Sequence, residues 1–139
     1  MDNASNKDRH DGFVSFLKKK GHAASKIEIG ENSVDFGRRA TRAIFSNPKA
    51  STALFASTYL ITEGVLMGLK DLNLRQGIDV EVLGFDVQYA HLLEPPLMVF
   101  VQPAFEIGVE AVRSILAVIR TGVERDVDPL PVSLQPAMS

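Results

Sequence analysis

In this 139-residue chain the residue most suggestive of chemistry is Asp86. It closes the run Val80-Glu81-Val82-Leu83-Gly84-Phe85-Asp86, whose β-branched and aliphatic residues read as a short strand ending in a glycine, an aromatic and a carboxylate. In an open α/β sheet, ligands are met beyond the carboxyl ends of the strands, which is where Asp86 falls. An ionised carboxylate only accepts hydrogen bonds and can take two adjacent hydroxyls of a sugar. The competing role is to cap the following turn, a frequent use of aspartate.

Catalysis finds little else to work with. There is no cysteine, and the three histidines, His10, His22 and His91, stand outside any paired motif. His22 follows a helix-ending glycine and His91 lies in a loop, so solvated side chains are the default for both. No nucleophile elbow, phosphate loop, dinucleotide fingerprint or zinc-protease motif is present. The chain therefore reads as a non-enzyme with no cofactor and no metal site. A net charge of −2 with 23% charged residues gives no electrostatic case for nucleic-acid binding by this chain. No apolar run approaches the roughly 18 residues of a membrane span, and residues 1–8 lack a signal-peptide core. These features, with the lack of thiols, fit a cytoplasmic protein.

The elements around Asp86 alternate between strand and helix patterns. Residues 1–8 read as a loop or ragged beginning, and 9–20 as an amphipathic helix with Phe13, Phe16 and Leu17 on one face. Lys18-Lys19-Lys20 suits the negative end of that helix, and Gly21 ends it. Ile27-Glu28-Ile29 alternates apolar and polar, as a short strand would. Asp35 or Ser33 caps the next helix, which carries Phe36, Ala40, Ala43 and Ile44 and stops at Asn47-Pro48. Thr52-Ala53-Leu54-Phe55-Ala56 is a near-continuous apolar strand of the kind covered on both faces in a parallel sheet. Ser57-Thr58 then offers a cap for a helix over 59–69, and the 80–85 strand follows. Beyond it come a helical turn at 89–93, a strand at 97–101 and a helix at 104–120 with a long apolar stripe. Val132-Ser133-Leu134, among prolines, suits an edge strand. This order predicts right-handed βαβ units and an open α/β fold, with helices on both faces of a parallel sheet.

Several of these segments, taken together, resemble the lac-repressor (LacI/GalR) family of bacterial transcription regulators. Arg9-Gly12-Phe13, Gly84-Phe85-Asp86, Pro95-Pro96-Leu97, Gln102-Pro103, Ile107-Gly108 and Leu130-Pro131-Val132-Ser133-Leu134 run in the family's order and spacing, nearly end to end. Each motif is weak alone; the ordered series is specific. The resemblance implies a type I periplasmic-binding-protein-like fold, here incomplete and consisting mainly of the C-terminal lobe. Residues 97–121 resemble the crossover to an N-terminal lobe. It also implies that a DNA-binding domain and a first lobe precede this stretch in the parent, so the chain looks like a C-terminal piece. By the same analogy, a strand between those at Ile27 and Thr52 is missing, which predicts exposed apolar surface and self-association.

The resemblance assigns Arg9 to the cleft between lobes, where its planar fork would hydrogen-bond the effector; the alternative is a solvated arginine at a helix start. It places Asp86 on the same effector. Asn32 stands where many relatives carry a stacking aromatic, so it is either a hydrogen-bond donor to the effector or a turn residue. Thr58 occupies a polar position often held by asparagine, but Tyr59 replaces the usual following aspartate, and a plain helix cap competes. Ser5, four residues before Arg9, could line the same cleft. Met98 and Ala137 replace a threonine and an arginine frequent in relatives. The implied function is effector sensing, with a sugar or related metabolite altering DNA binding through a domain outside this chain. A homodimer is implied as well, with 89–93 and 59–69 as contact surfaces, and no membrane association. The alternative is a periplasmic or receptor-type sugar-binding protein of the same fold.

Overall fold

In the computed structural model, which describes residues 4–46 and 52–136, two side-chain caps fix where helices begin. Ser33 has an extended backbone and its hydroxyl accepts from the Phe36 N–H at 3.1 Å, starting the helix Val34–Phe45. Thr58 does the same for Tyr59–Asp71, accepting from the Ile61 N–H at 3.2 Å. The first helix, α1, spans Ala4–Lys19, so Val34–Phe45 is α2 and Tyr59–Asp71 is α3. The last, α4, is Ala104–Thr121, closed by Gly122 in the left-handed region. A single 3-10 turn lies at Ala90–Leu92.

The sheet has the order β1 (Ala53–Phe55), β2 (Glu81–Phe85), β3 (Met98–Val101), β4 (Ser133–Pro136). The first three strands run parallel, and β4 closes one edge antiparallel to β3, with Leu134 opposite Phe100. Register puts Phe55 beside Leu83 and Phe85 beside Phe100, so these side chains share one face of the sheet. Val82, Gly84 and Val99 point to the other. Helix α1 meets the first face, where Phe13 stacks on Phe55 with ring centroids 5.5 Å apart. Helix α3 meets the second: a Cβ at Gly84 would run into the Thr62 methyl, and the Thr62 hydroxyl accepts from the Phe85 N–H at 3.1 Å. Helices thus cover both faces.

The core sits on the α3 side, with Val65, Leu69, Val80, Val82, Leu97 and Val99 buried. Helices α2 and α3 cross closely because Gly37 and Gly64 face each other: a Cβ on Gly64 would overlap the Val34 carbonyl oxygen. Asp71 ties the same pair from outside, accepting from Arg38 Nε at 2.5 Å and pairing with Arg42 at 2.9 Å. These guanidinium groups hold the Asp71 carboxyl below its ordinary pKa, and the Arg38 hydrogen bond is the larger cause.

Two expectations fail. Residues 4–8 are helical rather than loop, because a helix extends through polar residues when local pairs support it; Lys7 reaches Asp11 at 2.8 Å one turn on. Ile27-Glu28-Ile29 forms no strand: its pattern is strand-like, but a strand exists only through ladder bonds to a neighbour, and none of the described residues supplies one. Ile27 and Ile29 remain 44% and 57% exposed. The predicted stop at Asn47-Pro48 and the replacement at Ala137 lie outside the described residues.

Candidate functional site

The carboxyl ends of β1, β2 and β3 lie side by side, and three ties gather polar side chains there. Arg9, half-buried on α1, donates from Nη1 to the Ser57 carbonyl just after β1 at 2.8 Å. Its guanidinium carbon sits 4.0 Å from the centre of the Phe85 ring, a cation–π stack on the last residue of β2. The Thr58 hydroxyl donates to Asn32 Oδ1 at 2.6 Å, joining the start of α3 to the loop before α2. Asp86 closes the set: its Oδ1 accepts from the Gln102 N–H at 2.9 Å and its Oδ2 from the Gln102 side-chain amide.

Asp86 has φ +52, in the left-handed region that aspartate tolerates better than most residues. Its N–H continues the ladder to the Phe100 carbonyl at 2.8 Å, so backbone and carboxylate both grip the end of β3. Each carboxylate oxygen has a second lone pair beyond the one Gln102 uses. Arg9 likewise has five N–H donors, of which Ser57 and, at 3.5 Å, Asn6 engage one nitrogen. The arrangement can therefore offer donors and acceptors together to a neutral polyhydroxylated molecule.

Four of the five expected residues are thus linked directly or through a chain neighbour. Arg9 touches Ser57, next to Thr58, and Phe85, next to Asp86; Thr58 touches Asn32. Thr58 thus caps α3 and at the same time contacts Asn32. Ser5 lies one helical turn ahead of Arg9 on α1, on the same side. Missed in the sequence were Gln102 as the partner of Asp86 and an aromatic floor of Phe13, Phe55, Phe85 and Phe100. The signal available was a phenylalanine at or next to the end of each parallel strand.

Away from this edge, the phenol oxygens of Tyr59 and Tyr89 both donate to Glu63 Oε1, at 2.6 and 3.1 Å. Burial, and then the Glu63 carboxylate, pushes the Tyr89 phenol up to about 12. His10 contacts Asp11, and His91 contacts the Gln88 carbonyl. Among the described residues no group of acidic and histidine side chains could hold a metal ion, and no helix is long and apolar enough to cross a membrane.

Comparison with known proteins finds a family model described as a periplasmic binding protein-like domain over residues 1–137. The HTH-type transcriptional repressor CytR of Escherichia coli (strain K12) is 29% identical over 111 residues, covering 78% of this chain and 33% of the relative. The ribose operon repressor of Bacillus subtilis (strain 168) is 26% identical, covering 81% and 35%. Among solved structures, a LacI family transcriptional regulator from Enterococcus faecalis V583 with bound ribose superposes at a TM-score of 0.75. It is 25% identical and covers 94% of this chain and 47% of that one. The chain spans about a third of the length of the curated relatives and about half of that solved chain.

Proposed function

This chain belongs to the periplasmic binding protein-like domain family, its relatives being LacI-family repressors, and from that premise we propose that its strand-end surface binds a small polyhydroxylated effector. The observation that carries the reading is the Arg9 guanidinium stacked on Phe85, the residue that precedes the left-handed Asp86, at the carboxyl ends of parallel strands. Arg9 donates to ligand oxygens, Asp86 accepts from neighbouring hydroxyls, and Asn32, Thr58 and Ser5 complete the rim. The ribose bound to the Enterococcus faecalis regulator supports a sugar or a related metabolite as the class of ligand.

In the parent regulator, effector binding changes DNA binding through a domain outside this chain. A ligand does this only by binding one arrangement of the protein more tightly than another, which commonly amounts to about 1–3 kcal/mol of coupling. Residues 97–121 are read as the segment leading towards a first lobe, which the exposed stripe of α4 supports. A homodimer through the Tyr59–Tyr89 region completes the reading.

The test is calorimetric titration of the chain with D-ribose and a panel of other monosaccharides. A binder is expected whose affinity falls about 10–100-fold in both Asp86→Asn and Arg9→Lys, since a charge-assisted hydrogen bond contributes about 1.5–3 kcal/mol. The melting temperature of each variant is measured alongside, so that the loss of the Gln102 or Ser57 hydrogen bond is read separately from the loss of affinity. Sugars that bind both variants as well as the unchanged chain would sink the assignment.

A further inference from the structure

The strand-end surface leaves one charge unanswered. Arg38, Arg39, Arg42, Arg75, Arg113 and Arg125 each reach a carboxylate within ion-pair distance. Arg120 is exposed on α4, where water solvates it. Arg9 is half-buried, yet among the described residues it has no carboxylate partner. Its contacts are the Ser57 carbonyl and Asn6 Oδ1, both through Nη1, and the face of the Phe85 ring. A guanidinium taken partly out of water needs an anion or further hydrogen bonds to offset the loss. Stacking uses the face of the group and leaves its edge open. On that edge the N–H groups of Nε and Nη2 have no partner among the described residues. Two parallel N–H groups match the two oxygens of a carboxylate.

A second donor is fixed one residue along. Thr58 Oγ1 accepts from the Ile61 N–H at 3.2 Å, and its single hydroxyl proton goes to Asn32. The separation of 2.6 Å fits an O–H···O bond and is shorter than the usual N–H···O range. The Asn32 amide is therefore turned with Oδ1 towards Thr58 and its NH2 group away. Neither of those N–H groups has a partner among the described residues, and Asn32 is exposed. The consecutive residues Ser57 and Thr58 thus anchor Arg9 and Asn32 by their engaged atoms, and both leave N–H donors unpaired. Asp86, in contrast, supplies only acceptors.

Taking the strand-end surface as the effector site, we propose that its ligand is a polyhydroxylated carboxylic acid of the aldonic or uronic class. The carboxylate meets the Arg9 edge and the Asn32 amide, and the hydroxyls reach Asp86. A neutral sugar can use the same donors through its hydroxyl oxygens, but a carboxylate makes charge-assisted bonds roughly twice as strong. Thr58 is a positioning residue, because it fixes which way Asn32 points.

The probes are D-ribonate, D-gluconate and D-galacturonate, titrated into the full chain beside their neutral counterparts D-ribose, D-glucose and D-galactose. At least one acid is expected to bind about 10-fold or more tightly than its counterpart, and the preference should shrink in molar salt. Asn32→Asp, at an exposed position, replaces the donor by a second carboxylate and should abolish that preference. Thr58→Val releases the amide and should lower the acid-to-sugar affinity ratio, which a weaker helix start alone would leave unchanged. A neutral sugar that binds as tightly as its acid would overturn the acid assignment and leave the strand-end site standing. So would an acid preference undiminished in Asn32→Asp. Binding of neither class would overturn the strand-end site as well.

Discussion

Helices α3 and α4 both carry apolar stripes, yet they meet opposite fates. Helix α3 buries Thr62, Gly64, Val65, Gly68 and Leu69, while α4 buries none of its residues. Phe105 and Ile119 of α4 are left 79% and 73% exposed. The difference lies in what each helix has opposite it. Helix α3 presents glycines that let α2 approach to backbone contact, and Gly84 of β2 makes room for its Thr62, whereas a Cβ on Gly108 of α4 would meet nothing. An apolar stripe shows that a helix needs a partner; it does not say that the partner lies in the same stretch of chain. The candidate site spans this divide, with Asp86 on the packed half and Arg9 on α1, tied down through Phe85 and Ser57.

If cohesion resides in the α2–α3–β2 layer, the largest effect should come from Gly64→Val. The new side chain collides with the Val34 carbonyl and should cost about 3 kcal/mol or more, read as a lowered urea midpoint. A midpoint equal to the parent's would remove the basis of the contrast. Thr62→Val comes next, because it keeps the shape but strands the buried Phe85 N–H; about 1–3 kcal/mol should be lost. On the open side the sign should reverse. Gly108→Ala adds a methyl where there is room and removes a flexible residue from a helix interior, so stability should rise by up to about 1 kcal/mol. A loss there would mean that α4 is packed in solution.

The smallest effect concerns Asp71. Its carboxyl is held below the ordinary value of 3.8 by Arg38 and Arg42, so the ionised form stabilises the folded state. That contribution is fully present above the unfolded value near pH 4 and disappears as pH falls through the lower folded value. The stability difference between the parent chain and Asp71→Asn should therefore be visible at pH 7 and vanish in stronger acid. It should also shrink in molar salt, as exposed ion pairs do. A difference that persists in acid strong enough to protonate the carboxyl in the folded state would point to packing rather than charge.

Much of the architecture was legible because it is local. Ser33, one of two candidates beside Asp35, and Thr58 carry a hydroxyl where a helix start needs an acceptor, and both cap. The 80–85 run became β2 and delivered Asp86 to the carboxyl edge, since the strand period and the following turn are set by neighbouring residues. Ile27-Glu28-Ile29 shows the limit: alternation is local, but pairing requires another chain segment, and the pattern carries no information about whether one is there.

For the site, the amino-acid order determined which residues have suitable chemistry and which strand end would present Asp86. Only the tertiary structure decided that Gln102 holds that carboxylate, that Arg9 stacks on Phe85, and that Thr58 meets Asn32. Those pairs are separated by 16, 76 and 26 residues, and their meeting depends on strand register and helix packing rather than on spacing along the chain.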